Sequence, residues 1–259
     1  MNTTLKINAL GLIFWGLLAA PIFAQQSTNQ EQKEKWSIDQ LPFDLAGFVH
    51  TRHAVRLQDD PYQSKYFPMS ETRFRVGVSG YNAIFEWDIK SDFIYDSFDN
   101  AGKLDLREAY VDFNTPYWLA IKLGRQILTW GKGDMLFIND LFPKDWQSFF
   151  IGRELEYLKA PSNALKVSFN FAKLELNLMY MPAFDSDNFP RGNRLSFFDL
   201  SIADFRGDAQ PFDFAVPNDL FRQDEFSWRI RRNIGSADLA FYGYCGFWKS
   251  PSGFGLTTG

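Results

Sequence analysis

The feature that most constrains this chain is a period of two. From Gly47 onward it holds nine runs of about ten residues in which apolar and polar side chains alternate. They are Gly47–Gln58, Glu71–Gly80, Ala83–Asp96, Glu108–Phe113, Tyr117–Ile127, Asn163–Phe171, Ala172–Met181, Glu225–Ile234 and Ala237–Trp248. In the fifth run Tyr117, Leu119, Ile121, Leu123 and Ile127 share one face, and Trp118, Ala120, Lys122, Gly124 and Gln126 share the other. A helix would repeat near 3.6, so the pattern predicts antiparallel strands with one apolar and one polar face each.

The connections sort by parity. Tight turns at Tyr81-Asn82, Asn114–Pro116, Phe171-Ala172 and Gly235-Ser236 alternate with longer segments at Asp59–Ser70, Ser97–Lys103, Thr129–Ser162 and Pro182–Asp224. A β-sandwich explains alternating faces but gives no reason to sort loop lengths. A transmembrane β-barrel does, with short periplasmic turns and long outer loops. Composition agrees: 18% aromatic residues, 28 of them Phe, coexist with 22% charged residues and a mean hydropathy of −0.26. That suits a wall apolar outside and wet inside.

Met1–Ala24 has a basic start at Lys6, an apolar stretch and a small-residue end, which predicts a signal peptide over 1–24. Residues 25–46 follow as a polar periplasmic lead-in, and 47–259 form the barrel domain. Nine strands is an odd number, and an open sheet leaves about five N–H and five C=O groups bare on each edge strand. In lipid each costs several kcal/mol. The expectation is therefore an all-β chain that is the N-terminal part of a larger even-stranded barrel, completed by on the order of 100 to 200 further residues.

Net charge is −4, from 27 basic and 31 acidic residues, which offers no basic surface for nucleic acid. Cys245 is the sole cysteine, and no Cys/His spacing fits a metal, so neither disulfide, metal nor cofactor is expected. His50 and His53 fall on opposite faces of the first strand with no nucleophile in identifiable reach, so no catalytic residue is assigned. Alternation puts Arg73, Arg75, Glu86, Asp88, Lys90, Glu108, Asp112, Lys122, Lys166, Lys173, Glu175, Arg229 and Arg231 on the polar face, as candidate pore-lining residues. Basic and acidic residues balance there, which predicts cross-strand ion pairs and allows a transverse field across the lumen.

Leu106-Arg107-Glu108-Ala109-Tyr110-Val111, Gly124-Arg125-Gln126, Trp130-Gly131, Asp134 and Pro143-Lys144-Asp145 resemble a family of porin-like Gram-negative outer-membrane proteins, distantly akin to alginate-export barrels. Phe142 departs from that pattern, where Asn is expected, and the likeness covers about 40 residues. It implies a channel set in outer-membrane lipid, passing small polar or amphipathic solutes passively, and compatible with a homo-oligomer. It also implies that the third outer loop, 129–162, folds into the lumen, with Arg125, Trp130, Asp134, Asp140, Lys144 and Asp145 at the constriction. Gly124 should leave room for that loop. Arg125 should sit at the lipid interface or be turned inward by a bulge, and Trp130 should join an aromatic girdle. The competing readings are a secreted or periplasmic β-sandwich binding protein and a barrel with an exporter-accessory role.

Overall fold

The computed structural model describes residues 42–130, 140–213, 216 and 219–250. The expected signal peptide, the lead-in before Pro42, Asp134 and residues 251–259 lie outside these. The described chain is all-β. Its core is one antiparallel sheet of nine strands in chain order. These are β1 (Asp44–Ala54), β2 (Met69–Tyr81), β3 (Phe85–Asp96), β4 (Ala101–Phe113), β5 (Leu119–Ile127), β6 (Pro161–Phe171), β7 (Leu174–Met181), β10 (Glu225–Ile234) and β11 (Ala237–Cys245). A separate hairpin, β8 (Phe197–Asp199) with β9 (Asp204–Arg206), interrupts the long connection after β7. The sheet is not closed: β1 and β11 stand at its two ends.

Each alternating run becomes one strand of this sheet, with shifted ends. The first strand begins at Asp44, inside the expected lead-in, and stops at Ala54, beyond which Arg56 N–H reaches back to the Tyr66 carbonyl at 3.3 Å. The fifth begins at Leu119 because its N–H is held by the Pro116 carbonyl at 2.8 Å, which makes Tyr117 and Trp118 part of the turn. The third and fourth strands are joined by only four residues, 97–100, where Asn100 takes φ 51° and accepts a hydrogen bond from the Tyr95 hydroxyl. The strict alternation of long and short connections therefore fails at this one point.

Register fixes which residues share a face. Arg75 stands opposite Phe48 on one side and Asp92 on the other, and Lys122 stands between Asp112 and Lys166. This charged face, called inner here, is covered by the long connections; Glu71, Arg73 and Asp92 on it are each 1% exposed or less. The opposite, outer face carries Val49, Phe74, Phe93, Leu123, Phe226 and Phe241, all exposed. Trp87 and Trp228 lie on it over the cross-strand glycines Gly80 and Gly243. The burial order is thus the reverse of a water-soluble domain, whose sheets cover their apolar faces.

A β-bulge breaks the alternation in β4. Lys90 pairs with Glu108 but Ser91 with Leu106, so Arg107 is the extra residue. Arg107 is consequently buried on the inner face beside Glu108.

Candidate functional site

Twelve of the thirteen residues assigned to the polar face lie in strands, and cross-strand registers that bring carboxylates opposite cations pair most of them. Arg73 donates to Asp92 at 2.6 Å and to Glu71 at 2.9 Å, and Arg75 grips both oxygens of Asp92 at 2.6 and 2.9 Å. Lys90 sits 3.1 Å from Glu108 and 3.5 Å from Asp88. Lys122 meets Asp112 at 3.3 Å. Glu175 accepts from Arg229 at 2.6 Å and lies 3.5 Å from Arg231, which also reaches Asp238 at 3.3 Å. Glu86 is exposed near the start of β3, and Lys166 stands opposite Lys122. Lys173 is the exception to the strand assignment, since it occupies the two-residue turn between β6 and β7 and is exposed there.

The connection after β5 lies against this face and is built from its own polar caps. Asp140 accepts from Thr129 Oγ1 at 3.0 Å and pairs with Lys144 at 3.3 Å. Burial depresses the Lys144 ammonium below its usual range, against the pull of Asp140. Asp145 caps a short helix, α1 (Trp146–Phe150), through the Ser148 N–H and hydroxyl at 2.9 and 2.7 Å. Asp140, Lys144 and Asp145, expected at the constriction, are bonded within the loop in this way and tie it together. Trp146 donates to Asp187 at 3.1 Å, joining it to the next long connection.

The side chains that the loop turns toward the wall come later. Arg153 grips Glu71 at 2.8 and 3.0 Å, and Arg52 of β1 donates to Glu154 at 2.7 Å and to the Gly152 carbonyl at 2.9 Å. Glu156 pairs with Arg75 at 2.9 Å, while the Tyr157 ring lies 4.0 Å under the Arg73 guanidinium. Burial raises the Tyr157 phenol above its ordinary pKa, opposed by Arg73. Arg107 donates to the carbonyls of Glu156 and Lys159 at 3.1 and 2.9 Å, which is the task of the bulge. A cavity of about 270 Å³ between loop and wall is lined by Arg73, Asp105, Arg107, Arg153, Tyr157 and Arg194 among others. A second, of about 360 Å³, lies near the tight turns among Asp44, Glu86, Asp88, Asp112 and Lys122.

Trp130 corrects its expected place in an outer girdle. It is 4% exposed and packs against Phe142 and Tyr242, in one apolar cluster with Leu128, Ala164, Met179 and Met181. The loop therefore touches β1, β2 and β4 through charge and β6, β7 and β11 through apolar contact. Arg125 keeps to the outer face, and its Nε donates to the Leu106 carbonyl at 2.6 Å beside the bulge. The bulge exists, but in the neighbouring strand. Gly124 has φ 125°, and a Cβ there would lie 2.3 Å from the Ala109 carbonyl oxygen; the close approach it permits is by β4, not by the loop.

Arg107, Arg153 and Tyr157 were not among the assigned residues. The adjacent charges Arg107-Glu108, where the fourth alternating run begins, are a legible sign of a bulge; nothing local marks Arg153 or Tyr157. The structure also gives His53 a hydroxyl neighbour that alternation did not reveal, Ser70 Oγ at 3.0 Å from Nδ1. Among the described residues no carboxylate orients that ring, so the pair lacks the third member a nucleophilic serine uses. No protein-family model matches the chain, and no curated protein matches it in sequence.

Proposed function

We propose that the chain forms the wall of a passive outer-membrane channel for small polar or amphipathic solutes, narrowed by segment 128–160. The reversal of the two sheet faces carries this reading. Exposed Phe74, Phe93, Leu123, Phe226 and Phe241 would each be unfavourable in water, at roughly 25 cal/mol per Å² of apolar surface. In a bilayer the same surface is stabilising. Arg125 and Arg232, the charged residues on the outer side, stand near strand ends, where an outward arginine costs about 0–1 kcal/mol instead of about 2–4 at midplane. A β-sandwich would bury the apolar faces and leave the charged ones in water. Along the inner face, acidic Glu86, Asp88 and Asp112 on β3 and β4 give way to basic Lys166, Arg229 and Arg231 on β6 and β10, a field across the wall that would orient polar solutes. The porin-like resemblance of the 106–145 region points the same way.

The test uses the full-length protein from outer-membrane fractions. Heat-modifiable migration on a denaturing gel and stepwise conductance in planar bilayers are expected, with larger steps after deletion of residues 145–158. A protein soluble without detergent and silent in bilayers refutes the channel. Unchanged steps in the deletion variant refute the narrowing role of the loop.

A further inference from the structure

The inner face of β5, β6 and β10 holds hydrogen-bond donors that the fold does not use. Lys122 and Lys166 stand directly opposite each other, an unfavourable arrangement in a sheet. Lys122 is answered by Asp112 at 3.3 Å and by the Tyr110 ring at 3.9 Å. Lys166 has no carboxylate in ion-pair reach among the described residues, and its direct cross-strand neighbour is another cation, Lys122. Across the sheet Lys166 faces Met179, and Met179 faces Ser227, whose fully buried hydroxyl has no hydrogen-bond partner. Arg229 follows two residues later on the same face; Glu175 holds its Nη2 at 2.6 Å, but its buried Nε is unpartnered. Trp130, which clusters with Met179 and packs on Tyr242, also leaves a buried Nε1 without a partner.

Strands about 4.8 Å apart and same-face residues about 6.7 Å apart place the backbone of Ser227 about 10 Å and that of Arg229 about 12 Å from Lys166, distances that the long side chains of Lys166 and Arg229 can close, and Trp130 joins them through Met179. Buried donors are normally satisfied. Three in one neighbourhood, those of Ser227, Arg229 and Trp130, beside the half-buried ammonium of Lys166, match an acceptor that the protein does not supply. We propose that Lys166, Arg229, Ser227 and Trp130 form a subsite for an oxyanion, the carboxylate, sulfate or phosphate group of a solute, at the edge of the apolar cluster. Lys166 supplies a point charge and Arg229 a directional N–H. This rests on the channel reading, since solutes must reach the inner face.

Binding is measured apart from conduction, by calorimetric titration of the detergent-solubilised full-length protein with sodium acetate, sulfate and phosphate at low ionic strength. Saturable one-to-one binding is expected for at least one of them, weakened roughly tenfold or more by Lys166→Gln and by Arg229→Gln. Arg232→Gln, on the outer face, should leave it unchanged. Preference for acetate assigns a planar carboxylate, and preference for sulfate or phosphate a tetrahedral group. Lys166→Met relieves the repulsion with Lys122 and should keep heat-modifiable migration, separating lost binding from lost folding. A protein that binds but does not conduct refutes the channel and keeps the subsite. Absence of saturable binding, or binding that Lys166→Gln leaves intact, overturns the subsite even where bilayer conductance is normal.

Discussion

Replacing Glu71 by Gln should release the loop from the wall, and the size of the effect can be worked from its contacts. The carboxylate is 1% exposed and accepts three charge-assisted hydrogen bonds, from Arg73 at 2.9 Å and from Arg153 at 2.8 and 3.0 Å. Removing one partner of a buried ion pair costs about 3–5 kcal/mol. Arg73 keeps Asp92 and the Tyr157 ring, so the group left without its carboxylate is Arg153, whose side chain is 16% exposed. That favours the lower end, about 3 kcal/mol, or roughly a hundredfold in the equilibrium between attached and detached loop. Hydrogen exchange on the detergent-folded protein reads it directly. The reporters are the N–H groups of Arg153, bonded to Ser148 at 2.9 Å, and of Tyr157, bonded to Glu154 at 2.9 Å. Both should exchange roughly a hundred times faster, while amides of the β7–β10 pair hold. Arg153→Gln should give the same loss, and the double variant little more than either alone. Unchanged protection at these amides, or strictly additive losses, would refute the reasoning.

Gly124→Ala must place a Cβ 2.3 Å from the Ala109 carbonyl oxygen at a backbone φ of 125°. Strain of about 1–3 kcal/mol plus a forced shift of β4 should lower unfolding stability in urea by at least about 3 kcal/mol, and a loss under about 0.5 would show that β4 yields freely. Tyr157 is held neutral by burial, so its folded pKa exceeds the ordinary 10.0. Its contribution to loop attachment is complete below pH 10.0 and declines as pH rises above it, because only the detached phenol then loses its proton. The wild-type minus Tyr157→Phe difference absorbance at 295 nm should show no phenolate until well above pH 10; a midpoint near 10 would place the ring in water.

Strand existence and face assignment were readable because a pleated strand repeats every two residues whatever surrounds it. Phe74 and Arg73 fall on opposite faces in the sequence and in the sheet. Strand ends were less readable, since Leu119 starts β5 only because the Pro116 carbonyl claims its N–H, a bond that alternation cannot register. The loop was the least readable. Asp140, Lys144 and Asp145 look like lumen charges by residue type, yet capping and pairing within the loop use them first.

The sequence by itself determined an antiparallel all-β chain with one apolar and one charged face per strand, because side-chain alternation is local. Only the tertiary structure decided which face is covered. Long connections fold onto the charged face, so Arg153 finds Glu71, 82 residues away, and Trp130 leaves the expected girdle for Tyr242. Such pairings depend on how strands separated in sequence are set side by side, and no local period encodes that.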